Sequence, residues 1–389
     1  MKIARVETFI LSDQLEGSFF FSQWEYHERR ICIVKITADN GLYGWGEGYG
    51  PADIIEAGIN HLRPILIGKN PIEQETLWFE MYRKTLDFAR RGVLTAALSA
   101  IDVALWDLKG KFLNLPVSVL LGGQYRKKVI PYATGLYFSK SHHLAKNLAE
   151  EAKQYVKQGF RAIKMKVGLS IKDDIHHIKS VRKAIGDEIP LMIDANHAYS
   201  LREAVKLARL AEPYDISWFE EPVSPEFYNH YRELRQKTSI PIAGGECEYL
   251  RYGFQQLLKN DCLDILQLDI CASGGLTEAK RIAALASTYG VEIVPHTWGT
   301  GIAFHAALHF IANLEPIPGR LCSPDFYIEY DRTENAIREK LTLPGIKMAD
   351  GFIQIPQSPG LGIEINEEAL HEYKTTAHNK TIVFPKKHH

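Results

Sequence analysis

PLMIDAN (190–196), ISWFEEP (216–222) and PIAGGE (241–246) are three apolar runs of strand length, each ending on or just before an acid. Their carboxylates, Asp194, Glu220 and Glu246, recur at equal intervals of 26 residues. That interval holds about one strand, one helix and two loops, so the pattern reads as repeated βα units. In a barrel of alternating strands and helices, equal phase puts all three carboxylates on one rim, at the carboxyl ends of neighbouring strands. Three converging acids without a cation repel one another and raise one another's pKa. Their convergence therefore points to Mg2+ or a similar hard divalent ion, and a chain with such a site is an enzyme.

Outward from these three runs the same rhythm continues. VIPYATG (129–135), AIKMKVG (162–168), ILQLDI (265–270), EIVPHT (292–297) and the region around LCSPDFYIE (321–329) bring the strand candidates to eight, enough to close a TIM-type (β/α) barrel. Between them, stretches such as HHLAKNLAEEAKQYVKQG (142–159) and LREAVKLARLAEP (201–213) carry apolar residues at helical spacing. Residues 126–345 are the expected barrel. Before it, ARVETFIL (4–11) and RRICIVKITADNGLYGWGEG (29–48) alternate as strands around an Asn40-Gly41 turn, and EQETLWFEMYRKTLDFA (73–89) and TAALSAIDVALWDLKGK (95–111) read as helices. Residues 1–125 are thus an α+β capping domain, with GSFFFSQWEYHERR (17–30) as its capping loop. The tail, 346–389, returns to strand character in GFIQIPQSPGLGIEI (351–365) and is expected to complete the capping domain, with KTIVFPKKHH (380–389) poorly ordered at its end.

Charge is balanced, with Lys+Arg 46 against Asp+Glu 47, so there is no basic footprint for nucleic acid or anionic lipid. No apolar run is long enough to span a bilayer, and MKIARVETFILSDQLEG lacks the pattern of a signal peptide. The five cysteines are scattered without zinc-type spacing. A soluble cytoplasmic protein is expected.

Two further constellations carry chemistry. Lys164 and Lys166 flank Met165 on one strand, so both ammonium groups face the barrel mouth while Met165 packs outward. Mutual repulsion and burial lower lysine pKa values, which makes a neutral general base available. Asp269 and His296 end neighbouring strands, where a carboxylate on one ring nitrogen fixes the tautomer and leaves the other free for proton transfer. Around them, Asn196 is a candidate for metal-bound water or substrate, Glu221 for support of the inner ligands, and Trp298 for an aromatic wall. Glu329, if protonated, is placed to hydrogen-bond a substrate carboxylate. A divalent ion beside two bases suits removal of a proton α to a carboxylate, followed by epimerisation or by β-elimination; these residues alone leave both open. A barrel glycosidase using two glutamates leaves the lysines and Asp194 without a role.

KMK, IDAN, WFEEP, GGE, QLD and VPHTWGTG together resemble the mandelate racemase subgroup of the enolase superfamily, over nearly the whole chain. The resemblance implies a barrel under an N-terminal cap completed by the C-terminal tail. It also implies one Mg2+ per active site on Asp194, Glu220 and Glu246, Lys166 as a base assisted by Lys164, and an opposing Asp269–His296 dyad. Within the subgroup, IDANHAYS, AGGECEYLRYG, PHTWGTGIAFHAALHF and IEYDRTEN are most similar to the galactarolactone cycloisomerase group, although Cys247 and Glu248 stand where hydroxyl- and aromatic-type residues are expected. By that likeness the substrate is a small carboxylate sugar, a lactone or anhydro sugar acid, whose ring oxygen is expelled to leave a 3-deoxy-2-keto acid. An acid-sugar dehydratase or a racemase is the alternative, and a homo-oligomer is expected.

Overall fold

The computed structural model describes residues 1–316, 318–319 and 326–375. Three antiparallel strands open the chain, β1 (Ile3–Phe20), β2 (Glu25–Ala38) and β3 (Tyr43–Gly48). The turn between β2 and β3 falls at Asn40-Gly41, where Gly41 takes φ +86°. Residues 17–30 are not a loop. They form the far end of the β1–β2 hairpin, with Phe19 opposite Tyr26 in register. The aromatic residues there, Phe19, Phe20, Phe21, Trp24 and Tyr26, favour pairing over a flexible connection. Helices α1 (Ala52–Leu66), α2 (Gln74–Thr85) and α3 (Val93–Leu113) follow, then the single turn α4 (Val117–Leu120).

The barrel strands are β4 (Lys128–Thr134), β5 (Ile163–Lys166), β6 (Leu191–Asp194), β7 (Ile216–Glu220), β8 (Ile242–Gly244), β9 (Ile265–Leu266), β10 (Glu292–Ile293) and β11 (Tyr327–Asp331). β4 to β10 pair in parallel in chain order, and β11 pairs in parallel with β4 on its other side from β5. Residues 321–325 of the eighth strand candidate lie outside the described residues. The intervening helices are α5 (Leu144–Lys157), α6 (Ile171–Ile185), α7 (Leu201–Ala211), α8 (Tyr228–Arg235), α9 (Leu250–Lys259), α10 (Gly275–Tyr289) and α11 (Gly301–Asn313). Their starts are specified locally: Ser200 and Glu203 make a capping box on α7, and Ser170 accepts from the Asp173 N–H on α6.

α3 is apolar around its whole circumference because it is covered on both sides, by β3 of the cap and by α10 of the barrel. Close approach to β3 requires glycine: a Cβ on Gly46 would sit 2.0 Å from the Ala100 carbonyl oxygen. The tail, α12 (Ala336–Leu341), β12 (Thr342–Leu343), β13 (Met348–Ala349), β14 (Phe352–Gln354), β15 (Glu364–Ile365), α13 (Glu367–Tyr373) and β16 (Lys374–Thr375), does not go straight back to the cap. β14 first pairs antiparallel with β4, burying Ile353 there. Gly360 then packs on Gly110 of α3, and β16 joins β1. Residues 376–389, including the terminal KTIVFPKKHH, lie outside the described residues.

Candidate active site

Period-two alternation builds the site. One layer inside the barrel is a cluster of Tyr132, Ala162, Met192, Trp218, Ala243, Ile265 and Val294, contributed by or flanking seven strands. Two residues further along each strand the interior position turns polar: Thr134, Lys164, Asp194, Glu220, Gln267 and His296. Residues between them, such as Ile163, Met165, Ile193, Phe219 and Leu266, point outward into the main core with the helices. The lysines therefore face the mouth and Met165 faces the helices. Glu246 breaks the rhythm. Its strand ends at Gly244, and Gly245 at φ +121° swings the chain, so Glu246 stands three residues beyond Ala243 on a turn.

Ion pairs dominate the mouth. Lys164, 1 % exposed, lies 2.5 Å from Glu220, 2.9 Å from Glu329 and 3.7 Å from Asp194. Lys166 lies 2.5 Å from Asp194 and donates to Asn196 Oδ1 at 2.8 Å. Burial alone lowers both lysines, but the facing carboxylates outweigh it, and both are held as ammonium above the ordinary lysine value. This reverses the expectation from repulsion between neighbours, because Asp194 at 2.5 Å acts on Lys166 more strongly than Lys164 does, and Glu220 and Glu329 lead the charges acting on Lys164. Burial raises Asp194 and Glu329, yet Lys166 with Lys164 brings the first down to about 2, and Lys164 with His296 the second to about 2. Glu329 is thus ionised, accepting from Thr134 Oγ1 at 2.7 Å and the Thr297 N–H at 3.0 Å. The protonated, substrate-bonding role expected for it does not match this setting; it anchors Lys164. Glu220 goes the other way: burial pushes it up to about 7, with Asp194, Glu329 and Glu246 adding repulsion against the pull of Lys164. Trp218 Nε1 and Gln267 Nε2 donate to it at 3.0 and 2.6 Å.

Across the ring, His296 Nδ1 meets Asp269 Oδ2 at 2.7 Å, and its Nε2 faces Glu246 at 3.6 Å and Glu329 at 3.9 Å. Burial lowers this imidazole, but Glu246, Glu329 and Asp269 together lift it to about 10. Lys166 on β5 and His296 after β10 stand at the two ends of an arc whose middle strands β6, β7 and β8 lead to Asp194, Glu220 and Glu246. Glu246 leans toward His296, while Asp194 and Glu220 are engaged by lysines.

The cleft between them is lined by Lys164, Lys166, Asp194, Asn196, Glu246, His296, Trp298 and Glu329, with Phe21, Tyr26, Tyr49 and Tyr137 as walls. Phe21 and Tyr26 come from the β1–β2 hairpin. Tyr26 packs on Trp298 with ring centroids 4.9 Å apart, and Arg29 lies 4.2 Å over the same indole. Ser22 Oγ donates to the Asn196 carbonyl at 3.0 Å, tying the hairpin to the rim. Sequence reasoning missed Tyr26, Tyr49, Tyr137 and Gln267. The last carried a signal, since it lies two residues before Asp269 on the same face.

A profile of the mandelate racemase/muconate lactonizing enzyme N-terminal domain matches residues 5–122, and one described as enolase C-terminal domain-like matches 147–369. The chain belongs to the mandelate racemase subgroup of the enolase superfamily, and it is an enzyme. It is 41% identical to D-galactarolactone cycloisomerase of Agrobacterium fabrum, over 96% of this chain and 99% of that one. It is 35% identical to arabinonate dehydratase of Saccharolobus solfataricus, over 90% and 91%. The crystal structure of the 3,6-anhydro-D-galactonate cycloisomerase from Zobellia galactanivorans superimposes with TM-score 0.89 at 55% identity, covering 97% of this chain and 100% of that one. A Streptomyces coelicolor racemase crystallised with bound magnesium matches at TM-score 0.85 and 28% identity, covering 96% and 100%. No described helix is long and apolar enough to cross a membrane.

Proposed function

We propose that this enzyme is a cycloisomerase that opens the ring of an anhydro sugar acid or sugar-acid lactone, with 3,6-anhydro-D-galactonate as the first candidate. The observation that carries this is a cavity with two proton-handling groups, Lys166 and the Asp269–His296 dyad, at the two ends of an arc of acids. The donor set suits a divalent cation. Asp194, Glu220, Glu246, Asp269 and Glu329 face Lys164, Lys166 and His296, a surplus of two negative charges, and burial with the repulsion of Asp194, Glu329 and Glu246 raises Glu220 to about 7 despite Lys164. Asp194, Glu220 and Glu246 would hold one Mg2+ per chain. When bound, it supplies Lewis-acid stabilisation of the charge that develops on the substrate carboxylate.

Lys166 takes the proton from the carbon next to the carboxylate. It can do so only as the neutral amine, so release from its pairing with Asp194 is part of activation; Lys164, locked to Glu220 and Glu329, then presses it toward neutrality. His296, already an imidazolium in the free site, gives its proton to the ring oxygen leaving the β-carbon. Asp269 holds its ring orientation. The resulting enol tautomerises to a 3-deoxy-2-keto acid, with no atoms lost. Asn196 and the Trp298 indole N–H, buried without a partner, are placed to bind substrate hydroxyls.

The test is incubation with Mg2+ and, separately, 3,6-anhydro-D-galactonate, D-galactarolactone and D-arabinonate, with products followed by NMR and mass spectrometry. An acyclic keto acid of unchanged mass from either cyclic substrate supports the proposal. Water loss from D-arabinonate alone replaces it with a dehydratase, and α-hydrogen exchange without ring opening replaces it with an epimerase. We also infer a cytoplasmic homo-oligomer. Exposed Phe112, Leu113, Leu115 and Val119 at the end of α3 support association, which light scattering tests.

A further inference from the structure

A second set of donors stands immediately behind the acid arc. Glu221 and Cys247 are the residues that follow Glu220 and Glu246, and His197 lies three residues after Asp194. The same strand ends that aim the acids into the barrel mouth therefore present these three side chains together on another side. Glu221 and Cys247 border a separate cleft that they share with Tyr231 and Glu248. His197 Nε2 lies 3.1 Å from Glu221 Oε2 and 3.5 Å from Cys247 Sγ, and all three donor atoms fall within 4.8 Å of one another. Among the described residues this is the one histidine, cysteine and carboxylate group so gathered.

Hydrogen bonding accounts for only part of the arrangement, the Cys247 thiol bonding the Glu221 carboxyl. Glu221 is 1 % exposed, and its Oε2 makes no acceptable hydrogen bond even though His197 Nε2 is at pairing distance. A buried carboxylate oxygen without a directed donor is costly. The spacing matches a shared tetrahedral ion. With Zn–N and Zn–O of about 2.05 Å and Zn–S of about 2.3 Å, the nitrogen-to-sulfur edge of a tetrahedron is about 3.5 Å and the nitrogen-to-oxygen edge about 3.3 Å. The donor types also separate this place from the arc in front of it. Oxygen-only ligands suit Mg2+, whereas a thiolate with an imidazole suits a softer ion.

We propose that His197, Glu221 and Cys247 form a second metal site, for a thiophilic divalent ion such as Zn2+, distinct from the oxygen-ligand site of the barrel mouth. The ion enters past the exposed Cys247, whose thiol proton leaves to solvent on ligation. The fourth position faces the cleft that Glu221 and Cys247 border, and takes a water.

The experiment titrates the Mg2+-saturated full chain with Co2+ in the absence of substrate, so its result is independent of the proposed reaction. A thiolate-to-cobalt charge-transfer band in the near ultraviolet should saturate at one equivalent and be bleached by Zn2+. Cys247→Ser should lose that band, and His197→Gln should keep it with Co2+ affinity weakened at least tenfold. Absence of the band in the wild-type chain overturns the proposal without recourse to any variant. Persistence of the band in Cys247→Ser overturns it equally, by assigning the signal to another cysteine.

Discussion

Buried acids are used in two opposite ways in the seam between cap and barrel and in the barrel mouth. In the seam Glu47, Asp102 and Asp107 are stapled by fixed donors, unlike Asp331, which pairs with Arg29 of the cap. Glu47 on β3 accepts from the Thr300 N–H and hydroxyl, Asp102 on α3 from the Thr277 N–H at 2.9 Å and hydroxyl at 2.6 Å, and Asp107 from the Trp45 and Leu361 N–H groups at 2.9 and 2.8 Å. Trp106 Nε1 and Trp78 Nε1 add bonds across the same seam, to Thr277 and to the Gly274 carbonyl. These partners are neutral and immobile, apart from Lys111 beside Asp107. In the mouth Glu220 and Glu329 also accept from neutral donors, but the acids face one another and their charged partners are the ends of Lys164 and Lys166 and the His296 ring. Fixed neutral donors hold a domain in place; movable charge lets a site exchange a lysine for another cation and release a base.

The largest expected effect separates the two regions outright. Lys166→Ala and His296→Asn should each lower turnover by about a thousandfold or more, the scale of a lost acid or base, while thermal unfolding stays within a few degrees of wild type. Steady-state kinetics beside calorimetry reads this, and a variant that keeps near-normal turnover loses its assigned role. Next comes the seam. Gly46→Ala forces a Cβ to within 2.0 Å of the Ala100 carbonyl oxygen, where neither the sheet nor α3 can yield cheaply. It should cost about 3 kcal/mol in urea unfolding. An unchanged midpoint would show that α3 is not held rigidly against β3.

The smallest effect is a pH dependence. Burial raises Asp102 from the ordinary 3.8 to about 7, against the pull of its Thr277 bonds. The folded state therefore binds this proton more tightly than the unfolded chain does. Its contribution to stability is greatest below pH 4, declines as pH rises, and levels off above about 7. Asp102→Asn keeps one acceptor for the Thr277 N–H and removes the titration, so it should flatten the decline of Tm between pH 4 and 7 by a degree or two. Glu47, raised to about 7 by burial, leaves a residual slope in that variant. An identical slope in both proteins would mean that Asp102 is ionised at no cost.

Phase along the chain made much of this legible. Interior polar residues two or four positions beyond an interior apolar layer follow from strand geometry alone, which is why Lys164, Lys166, Asp194, Glu220, Asp269 and His296 share one face. Where local geometry breaks, the reading weakened. Gly244-Gly245 takes Glu246 out of phase, and residues 17–30 looked like a loop because the partner that makes them a hairpin is themselves folded back. The protonation of the lysines and of Glu329 depends on ion pairs whose partners lie far apart in sequence, from Lys166 with Asp194 to Lys164 with Glu329, beyond any local pattern. Trp298 is legible as an aromatic wall, but its tyrosine partners are not: Tyr26 meets Trp298 only because the cap sits on the barrel.

The central claim is that the surplus of acid in the mouth is there to hold a divalent cation. Titration calorimetry with Mg2+ on wild type, Glu220→Gln and Asp102→Asn tests it directly. One Mg2+ should bind per chain in wild type and in Asp102→Asn, with affinity at least tenfold weaker in Glu220→Gln. No binding to wild type, or equal affinity in all three proteins, would contradict it.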